Sequence, residues 1–255
     1  MMTMGNSRFS DINLYHCDYK EGFEEISDKS VTLCLTDPPY NFCKSPGKPY
    51  SERKQCNTKS AFSNSELFSC DGDMMKTMAD FDDKCIDEFL TLLEPKMKIM
   101  NAYIFCSETQ VPYYAMWAEN HNYMFSILVW EKPLSIINKN RFSQNLEYIV
   151  RVYDYGTALN RLEQNEFYNR VKKTAPVQGT DKLHPTQKPV SLMQQFVLLS
   201  SNEGDLVLDP FSGSGTTAIA CHRTNRKFIG FELNEEYYKK AIKRINAEKA
   251  QLTLF

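Results

Sequence analysis

The chain has 255 residues, a length that suits one large α/β domain with an insertion or two small domains. With 42% hydrophobic and 24% charged residues its composition is ordinary for a soluble globular protein, and a formal net charge of -2 does not by itself indicate a nucleic-acid partner. No apolar run approaches the roughly 20 residues of a membrane span, and residues 1–11 lack the apolar stretch of a signal peptide. These features predict a cytoplasmic protein without a membrane partner.

Short apolar runs rich in β-branched and aromatic residues alternate with helical patterns along the chain. The predicted strands cover residues 12–16, 31–36, 103–106, 126–130, 148–153, 206–209 and 228–231. The predicted helices cover residues 20–26, 81–93, 111–120, 190–200, 216–223 and 234–249. The alternation predicts a doubly wound α/β fold, with a mostly parallel, seven-stranded sheet covered by helices on both faces. Because such sheets bind ligands beyond the carboxyl ends of their strands, motifs directly after strands carry the functional argument.

Two stretches do not fit this alternation. Residues 41–75 are polar with little periodicity and are typical of a long loop, and residues 132–183 are basic and mixed in pattern around one strand. Between residues 41 and 60 there are five basic side chains against one acidic, and between residues 132 and 188 there are ten against five. Such zones fit faces that contact phosphates, although ordinary solvated surface gives the same pattern.

The eight cysteines are spread along the chain, and no two of them have C-x-x-C spacing. A zinc site is therefore not expected, and we predict no metal. Several of the cysteines lie inside apolar, strand-like runs, where a free thiol behaves as a small hydrophobic side chain. This usage predicts a reduced protein.

The first motif that indicates chemistry is Asp37-Pro38-Pro39-Tyr40, at the end of a predicted strand. The two prolines fix φ and remove two backbone donors, which leaves carbonyl groups free to accept hydrogen bonds. Asp37 and the Pro38 carbonyl would accept the two hydrogens of an amino group on a planar ring, and Tyr40 would stack on that ring. Both acceptors favour a pyramidal nitrogen whose lone pair can attack. The alternative is a turn that the prolines merely stiffen.

The second motif is a strand that leads into a glycine turn, at residues 207–217, Val-Leu-Asp-Pro-Phe-Ser-Gly-Ser-Gly-Thr-Thr. Glycine lets the backbone approach a ligand closely, and the helix that begins at the threonines offers unpaired N–H groups to an anion. The turn lacks the lysine of a phosphate-binding P-loop and the G-x-G-x-x-G spacing, so a carboxylate-bearing ligand fits better. Glu232 ends the next predicted strand about 20 residues downstream, the spacing at which an acid holds ribose hydroxyls in nucleoside-binding α/β folds.

Together these motifs resemble those of the DNA amino-methyltransferases that act on adenine-N6 or cytosine-N4. Asp-Pro-Pro-Tyr resembles the catalytic motif, and Phe-Ser-Gly-Ser-Gly at residues 211–215 resembles the cofactor motif. The catalytic motif comes first, which is similar to the permuted β class, and His-Pro-Thr-Gln-Lys-Pro at residues 184–189 resembles the segment before the cofactor motif in that class. The resemblance covers about residues 11–246. It implies a Rossmann-like methyltransferase fold, S-adenosyl-L-methionine as cofactor, S-adenosyl-L-homocysteine as product, and a place in DNA methylation or restriction–modification.

The resemblance also implies roles for the matching residues. Those that would shape the S-adenosylmethionine pocket are Asp209, Phe211, Gly213 and Gly215. Those that would hold the methionine end are Ser214, Thr216, Thr217, Thr186 and Lys188. Glu232 would take the ribose hydroxyls, and Asp18 would contact the cofactor adenine. The family usually has Gly-Asp where this chain has Cys17-Asp18, and a helix cap is an equal alternative for Asp18.

The reaction that the resemblance implies is direct methyl transfer to an amino group, with Asp37, Pro38, Pro39 and Tyr40 as catalytic residues and no nucleophilic cysteine. The target base must leave the duplex stack to reach Asp37. Aspartate at the first motif position favours adenine, because cytosine-N4 members more often carry serine there. Cytosine-N4 methylation, RNA methylation and a non-catalytic DNA-binding protein are the alternatives. A protein glutamine methyltransferase would carry asparagine in place of Asp37 and would have the cofactor motif first.

The permuted order implies a single methyltransferase domain over residues 1–255. It has a catalytic half at about 11–131, a short target-recognition region at about 132–183, a cofactor half at about 184–249 and a tail at 250–255. We expect the short region to read a short or relaxed recognition sequence. The candidate DNA contacts are the basic side chains of Lys44, Lys48, Arg53, Lys54, Lys139 and Arg141.

Partners other than DNA are predicted from the tail and the class. Residues 251–255, Gln-Leu-Thr-Leu-Phe, resemble the peptide by which bacterial proteins dock on the replicative sliding clamp. A tail that folds back on the domain is the alternative. The β-class resemblance is also compatible with a homodimer, although the sequence has no interface signature.

Overall fold

A computed structural model describes residues 12–39, 81–133, 142–143, 145–177 and 187–252, in which strands and α-helices alternate except at three consecutive strands between residues 124 and 173. The strands are β1 (Ile12–Tyr15), β2 (Leu33–Thr36), β3 (Asn101–Cys106), β4 (Met124–Glu131), β5 (Leu146–Tyr153), β6 (Val171–Lys173), β7 (Leu206–Asp209) and β8 (Lys227–Phe231). The α-helices are α1 (Tyr19–Glu24), α2 (Asp83–Leu93), α3 (Val111–Asn120), α4 (Val190–Ser200), α5 (Thr216–Arg223) and α6 (Glu235–Leu252).

All eight strands form one sheet in the order β1-β8-β7-β2-β3-β5-β4-β6. Among the described residues, every pairing is parallel except the two that β5 makes with β3 and β4. β2 lies in the interior of the sheet, between β7 and β3. The carboxyl ends of β2, β7 and β8 therefore lie at one edge, where parallel α/β sheets bind their ligands.

Helices cover both faces of this sheet. On one face α4, α5 and α6 pack around Phe196 and Ile245, and on the other α1, α2 and α3 pack around Phe89 and Tyr114. β2 and β3 have no exposed residue, the pattern of strands that are covered on both sides. The predicted doubly wound, mostly parallel α/β fold is confirmed.

The sequence around α2 explains where this helix begins and which of its faces is buried. The carboxylate of Asp82 accepts hydrogen bonds from the backbone of Lys84 and Cys85, both at 3.1 Å, and so caps the first turn of α2. The buried residues of α2 recur at helical spacing and are Ile86, Phe89, Leu90 and Leu93. That spacing makes one apolar stripe, which places α2 against the sheet.

The sheet has eight strands rather than the predicted seven, because β6 had no recognisable pattern. It is three residues long, reads Val-Lys-Lys, and buries only Lys172. β6 gains its place by pairing with β4 at the edge of the sheet, where the Trp130 indole also donates to the Thr174 carbonyl at 3.0 Å. Two strands of the predicted target-recognition region, β5 and β6, therefore belong to the main sheet.

The last helix runs further than predicted. α6 ends at Leu252 and not at residue 249, so the first two residues of the clamp-like peptide continue the helix. Residues 253–255 lie outside the described residues, and clamp binding stays a prediction. In the part of the chain that the structure covers, no helix is both long and apolar enough to cross a membrane.

Candidate active site

Asp37 lies directly after β2, where the chain leaves the sheet. The Thr36 side chain before it is fully buried, whereas the Asp37 side chain is 19% exposed. Pro38 and Pro39 have no N–H to continue the strand ladder, so the backbone turns away here and leaves the carboxylate at the rim. Tyr40, the fourth residue of the predicted catalytic motif, lies outside the described residues.

Gln110 holds the segment that follows Asp37, although no motif marked it. Its amide nitrogen donates to the carbonyl of Pro39 at 3.4 Å and to that of Phe81 at 3.0 Å, and its oxygen accepts from the Ser107 N–H at 3.0 Å. Gln110 is 1% exposed, so these partners replace water. The residue before α3 thus fixes both the proline pair and the chain that enters α2.

Charged side chains of alternating sign form a row that begins at Asp37. The ammonium group of Lys188 contacts the Asp37 carboxylate and lies 3.2 Å from Oε2 of Glu147, and Lys132 contacts Oε1 of Glu147. Burial opposes the charge of Lys188, but the two carboxylates outweigh it and raise the pKa of the ammonium. Burial also opposes the charge of Glu147, but Lys188 and Lys132 hold the pKa of that carboxyl below its usual range. Both groups are therefore charged at neutral pH. A contact of Lys188 with the methionine end of a cofactor stays a prediction.

Asp209 organises the glycine turn from inside. It ends β7, is 3% exposed, and accepts hydrogen bonds from the hydroxyls of Thr36 at 2.8 Å and Thr217 at 2.6 Å and from the Phe211 N–H at 3.2 Å. Burial raises the pKa of Asp209 to about 6, and the three hydrogen bonds oppose that rise. Asp209 is predicted to shape the cofactor pocket and Thr217 to hold the methionine end. The two residues are thus joined by a hydrogen bond across the turn.

The turn itself depends on two glycines in the left-handed region. Gly213 has a φ of 50° and Gly215 a φ of 71°, a conformation that side chains with a Cβ rarely adopt. The turn is closed by the Gly215 N–H, which donates to the Ser212 carbonyl at 2.8 Å. A Cβ on Gly213 would meet no atom within 4 Å, so open space lies beside the turn at the start of α5.

Glu232 lies directly after β8 and reaches the same turn. One carboxylate oxygen accepts from the Gly213 N–H at 2.8 Å, and the other from the Asn234 N–H at 2.8 Å. Burial raises the pKa of Glu232, although the two N–H groups oppose this. Each oxygen keeps a lone pair for a further donor. The spacing of the glycine turn and Glu232 in the sequence therefore does correspond to direct contact.

Two further residues support the turn without a motif to mark them. A Cβ on Gly230 would lie 2.2 Å from the Ser212 hydroxyl oxygen, so β8 passes directly beneath the turn. From α6, the Arg244 guanidinium donates to the Ser214 carbonyl at 3.0 Å and to the Thr216 hydroxyl at 3.1 Å. A lone arginine on a late helix has no sequence signal, so only the fold reveals this contact.

Phe211 connects the turn to the helices on the other side of the sheet. Its ring centre lies 4.9 Å from that of Tyr19, 5.4 Å from that of Phe81 and 5.6 Å from that of Phe89. Asp18 begins α1 nearby, and its carboxylate accepts from the Lys20 N–H at 2.9 Å. The helix-cap alternative for Asp18 is thus present, and its contact with a cofactor adenine stays a prediction.

Several predicted residues lie outside the described residues. They are Thr186, Lys44, Lys48, Arg53, Lys54, Lys139 and Arg141. Among the residues that are described, no group of three or more His, Cys, Asp or Glu side chains could hold a metal ion. Burial raises the pKa of the Cys34, Cys106 and Cys221 thiols, which makes them poor nucleophiles.

Comparison with known proteins identifies the class that this fold and site define. The chain matches the DNA methylase family N6_N4_Mtase over residues 31–243, a span that contains Asp37 and the glycine turn, and it belongs to that family. It is 30% identical over 238 residues to Type II methyltransferase M.HpaI of Haemophilus parainfluenzae, which covers 89% of this chain and 72% of that protein. Over a shorter stretch of 63 residues, 25% of this chain and 21% of the relative, it is 52% identical to DNA adenine methyltransferase YhdJ of Escherichia coli (strain K12). The predicted class, a DNA amino-methyltransferase, is confirmed.

Solved structures show the same fold. The complex of M1.HpyAVI with SAM has a TM-score of 0.66 and 24% identity, and the match covers 92% of this chain and 98% of that one. PvuII DNA methyltransferase, which is cytosine-N4-specific, has a TM-score of 0.68 and 16% identity, with 94% and 92% covered. These similarities confirm the Rossmann-like methyltransferase fold.

Proposed function

We propose that this DNA methylase transfers a methyl group from S-adenosylmethionine to the N6 amino group of an adenine in DNA. One observation carries the proposal. Asp37 and the glycine turn lie side by side at the carboxyl ends of adjacent strands, and the Thr36–Asp209 hydrogen bond of 2.8 Å joins the two segments. A carboxylate acceptor and a nucleoside-binding turn are thereby held at one place.

The residues around the turn fit S-adenosylmethionine. Open space lies beside Gly213, and the first N–H groups of α5 point toward that end of the turn, where a carboxylate is favoured. Glu232 is already oriented by two backbone N–H groups and keeps lone pairs for the ribose hydroxyls. Bound there, S-adenosylmethionine would supply an electrophilic methyl group on a sulfonium: its transfer forms a C–N bond, breaks a C–S bond and leaves S-adenosylhomocysteine.

Asp37 has two tasks in this proposal. Its carboxylate accepts one hydrogen of the target amino group, which orients the nitrogen lone pair toward the methyl group. After the C–N bond forms, the nitrogen carries a positive charge and must lose a proton, and Asp37 is the acceptor already in hydrogen-bond contact. The Pro38 carbonyl accepts the second amino hydrogen, and Tyr40 stacks on the base, as the motif predicts.

DNA reaches this site by base flipping, because the amino group is otherwise paired inside the duplex. The residues proposed to contact DNA are the basic side chains between positions 41 and 60 and near position 140, together with the target-recognition region. Within that region β5 and β6 are built into the sheet, so the recognition of sequence is assigned to the segments between strands.

Adenine is preferred to cytosine on the identity of one side chain. Aspartate occupies the first position of the catalytic motif, where cytosine-N4 members more often carry serine. The relative YhdJ is named a DNA adenine methyltransferase, whereas PvuII methyltransferase, which has the same fold, is cytosine-N4-specific. The fold is therefore common to both reactions, and cytosine-N4 methylation is the second candidate.

A nucleoside assay tests the proposal. The protein is incubated with S-adenosylmethionine carrying a deuterated methyl group and with unmethylated duplex DNA, single-stranded DNA or RNA, and digested nucleosides are identified by mass spectrometry. We expect labelled N6-methyldeoxyadenosine, and none with Asp37→Ala. Labelled N4-methyldeoxycytidine alone would support the second candidate, and no labelled base in any substrate would overturn the function.

A further inference from the structure

Four charged side chains form a row that ends at Asp37. In order of contact they are Lys132 after β4, Glu147 on β5, Lys188 before α4 and Asp37 after β2, so the charges alternate in sign. Each neighbouring pair is in ionic contact, and the Lys188–Glu147 distance is 3.2 Å. Four separate segments of the chain converge to build this row. Nothing in the proposed reaction so far uses Lys132 or Glu147.

Burial strengthens the interactions between the charges at the centre of the row. The Lys188 side chain is 4% exposed and its ammonium lies 4.9 Å from the centre of the Phe105 ring, while Glu147 is 17% exposed. An ammonium group that is removed from water needs carboxylate partners, and here it has two. A change in one carboxylate therefore alters how strongly Lys188 holds the other.

We infer that Glu147 is a positioning residue for methyl transfer, which acts through Lys188 to hold the Asp37 carboxylate in place and yet leave it free to accept from the target amino group. The inference rests on the proposed function of Asp37. If Lys188 had Asp37 as its sole partner, the ammonium would compete with the amino group for the carboxylate oxygens. Because the Lys188 ammonium also pairs with Glu147, it holds the Asp37 carboxylate less strongly, and Asp37 remains an effective acceptor.

Other groups face Asp37 and set the background for its charge. Asp209 on β7, Cys106 on β3 and Tyr114 on α3 are each close enough to interact electrostatically with it. Burial raises the pKa values of the Cys106 thiol and of the Tyr114 hydroxyl, so both stay neutral at physiological pH. Asp209, with a pKa of about 6, changes its charge within the assayed range, but it does so in the wild type and in both variants alike. Lys132, Glu147 and Lys188 are therefore the charged residues whose substitution should change the ionisation of Asp37.

The two outer members of the row have opposite expected effects. Glu147→Gln removes a negative charge and leaves Asp37 as the carboxylate of the row that pairs with Lys188. This change favours the ionised Asp37 and weakens it as an acceptor. Lys132→Gln removes a positive charge and strengthens the hold of Glu147 on Lys188, which disfavours the ionised Asp37. The acidic limb of the pH–rate profile should therefore move to lower pH in the first variant and to higher pH in the second.

The test is single-turnover methylation of DNA by the full chain between pH 5 and pH 9, with S-adenosylmethionine affinity measured by calorimetry. We expect Glu147→Gln to lower the rate above the limb by about tenfold, with partial recovery in Glu147→Asp, and to leave S-adenosylmethionine affinity within about twofold. Asp205→Asn is the matched control: its side chain is 23% exposed and pairs with Lys98 at 3.6 Å, before β7 and away from the site. It should change neither limb nor rate.

The outcomes separate the inference from the proposed function. Unmoved limbs in both Glu147→Gln and Lys132→Gln, with wild-type methylation intact, would overturn the inference alone. Loss of S-adenosylmethionine affinity at an unchanged rate would overturn it too, since Lys188 would then serve the cofactor. If Glu147→Gln does not fold, the Lys132→Gln variant tests the inference: a shift of its acidic limb to higher pH supports it, and no shift or a shift to lower pH overturns it. A wild-type protein that makes no methylated base, or an Asp37→Ala variant that retains activity, would instead overturn the proposed function.

Discussion

The hydroxyl of Thr36 donates to Oδ1 of Asp209 at 2.8 Å, and this buried bond links two residues that are 173 positions apart in the chain. Thr36 precedes Asp37, the proposed catalytic residue, and Asp209 begins the glycine turn. Displacement of either strand end would therefore alter both the proposed target-base site and the proposed cofactor site. A rigid link of this kind suits a reaction in which two bound groups must meet in one geometry.

Asp209 gives the protein a stability that depends on pH. Its pKa is about 6 in the folded chain, against an ordinary aspartate value of about 3.9 in the unfolded one. Between these values the folded state binds more protons, so stability is lost as pH rises from 4 to 6. Urea unfolding should show that the destabilisation by Asp209→Asn is about 2 kcal/mol smaller at pH 7.5 than at pH 4.5.

Thr217→Val provides the control for that effect. The hydroxyl that it removes favours the ionised carboxylate, so the pH-dependent loss of stability should extend to higher pH in this variant. A destabilisation by Asp209→Asn that is the same at both pH values would contradict the assignment.

Gly230→Ala should disturb the turn from beneath. The new Cβ would lie 2.2 Å from the Ser212 hydroxyl oxygen and 2.4 Å from the Phe228 ring, so we expect a loss of about 1–3 kcal/mol in stability and weaker S-adenosylmethionine binding. Gly204→Ala is the matched control, because Gly204 has a φ of 80° with no atom near its Cβ position. Its backbone strain of about 1–2 kcal/mol should lower the melting temperature similarly and leave affinity intact. Equal affinities in both variants would show that the turn tolerates the contact.

Gln110→Leu should slow methylation and destabilise the chain. The substitution leaves the Phe81 carbonyl and the Ser107 N–H without their buried partner, at a cost of about 1–3 kcal/mol for each group. It also releases the Pro39 carbonyl and thereby the segment that bears Asp37. Asn160→Leu removes a similar amide that holds the Leu198 and Ser201 carbonyls elsewhere. Single-turnover rates on folded protein should fall for Gln110→Leu and stay unchanged for Asn160→Leu.

Glu232→Gln should weaken the cofactor and the product equally. An amide can accept from only one of the Gly213 and Asn234 N–H groups, and it is a poorer acceptor for ribose hydroxyls. Calorimetry should show affinity lower by about tenfold or more for both S-adenosylmethionine and S-adenosylhomocysteine, because both carry the ribose. A loss confined to S-adenosylmethionine would place Glu232 near the sulfonium instead. Asp37→Ala should retain both affinities.

Local patterns predicted the parts of the site that lie within a single segment. Asp37 with its prolines, the glycine turn and Glu232 each follow an apolar strand, and the sheet then brings strand ends together. Gln110, Glu147 and Arg244 escaped prediction because their partners are distant in the chain. Glu147, for example, lies near the start of β5 and contacts Lys188 and Lys132, which belong to other segments of the chain. The sequence around such a polar residue does not indicate a functional role, because its partners become apparent only in the folded structure.

The interior place of β2 has a consequence for synthesis on the ribosome. Leu33 in β2 pairs with Val207 in β7, so the strand that precedes Asp37 is translated long before one of its two partners. At 5–20 residues per second, β2 waits about 10–35 s with one edge open. An apolar strand with an unpaired edge is a template for association with other chains. The pairing of β2 with β7, which brings the two motifs together, thus leaves one edge of β2 open in the unfinished chain until residue 209 has been added.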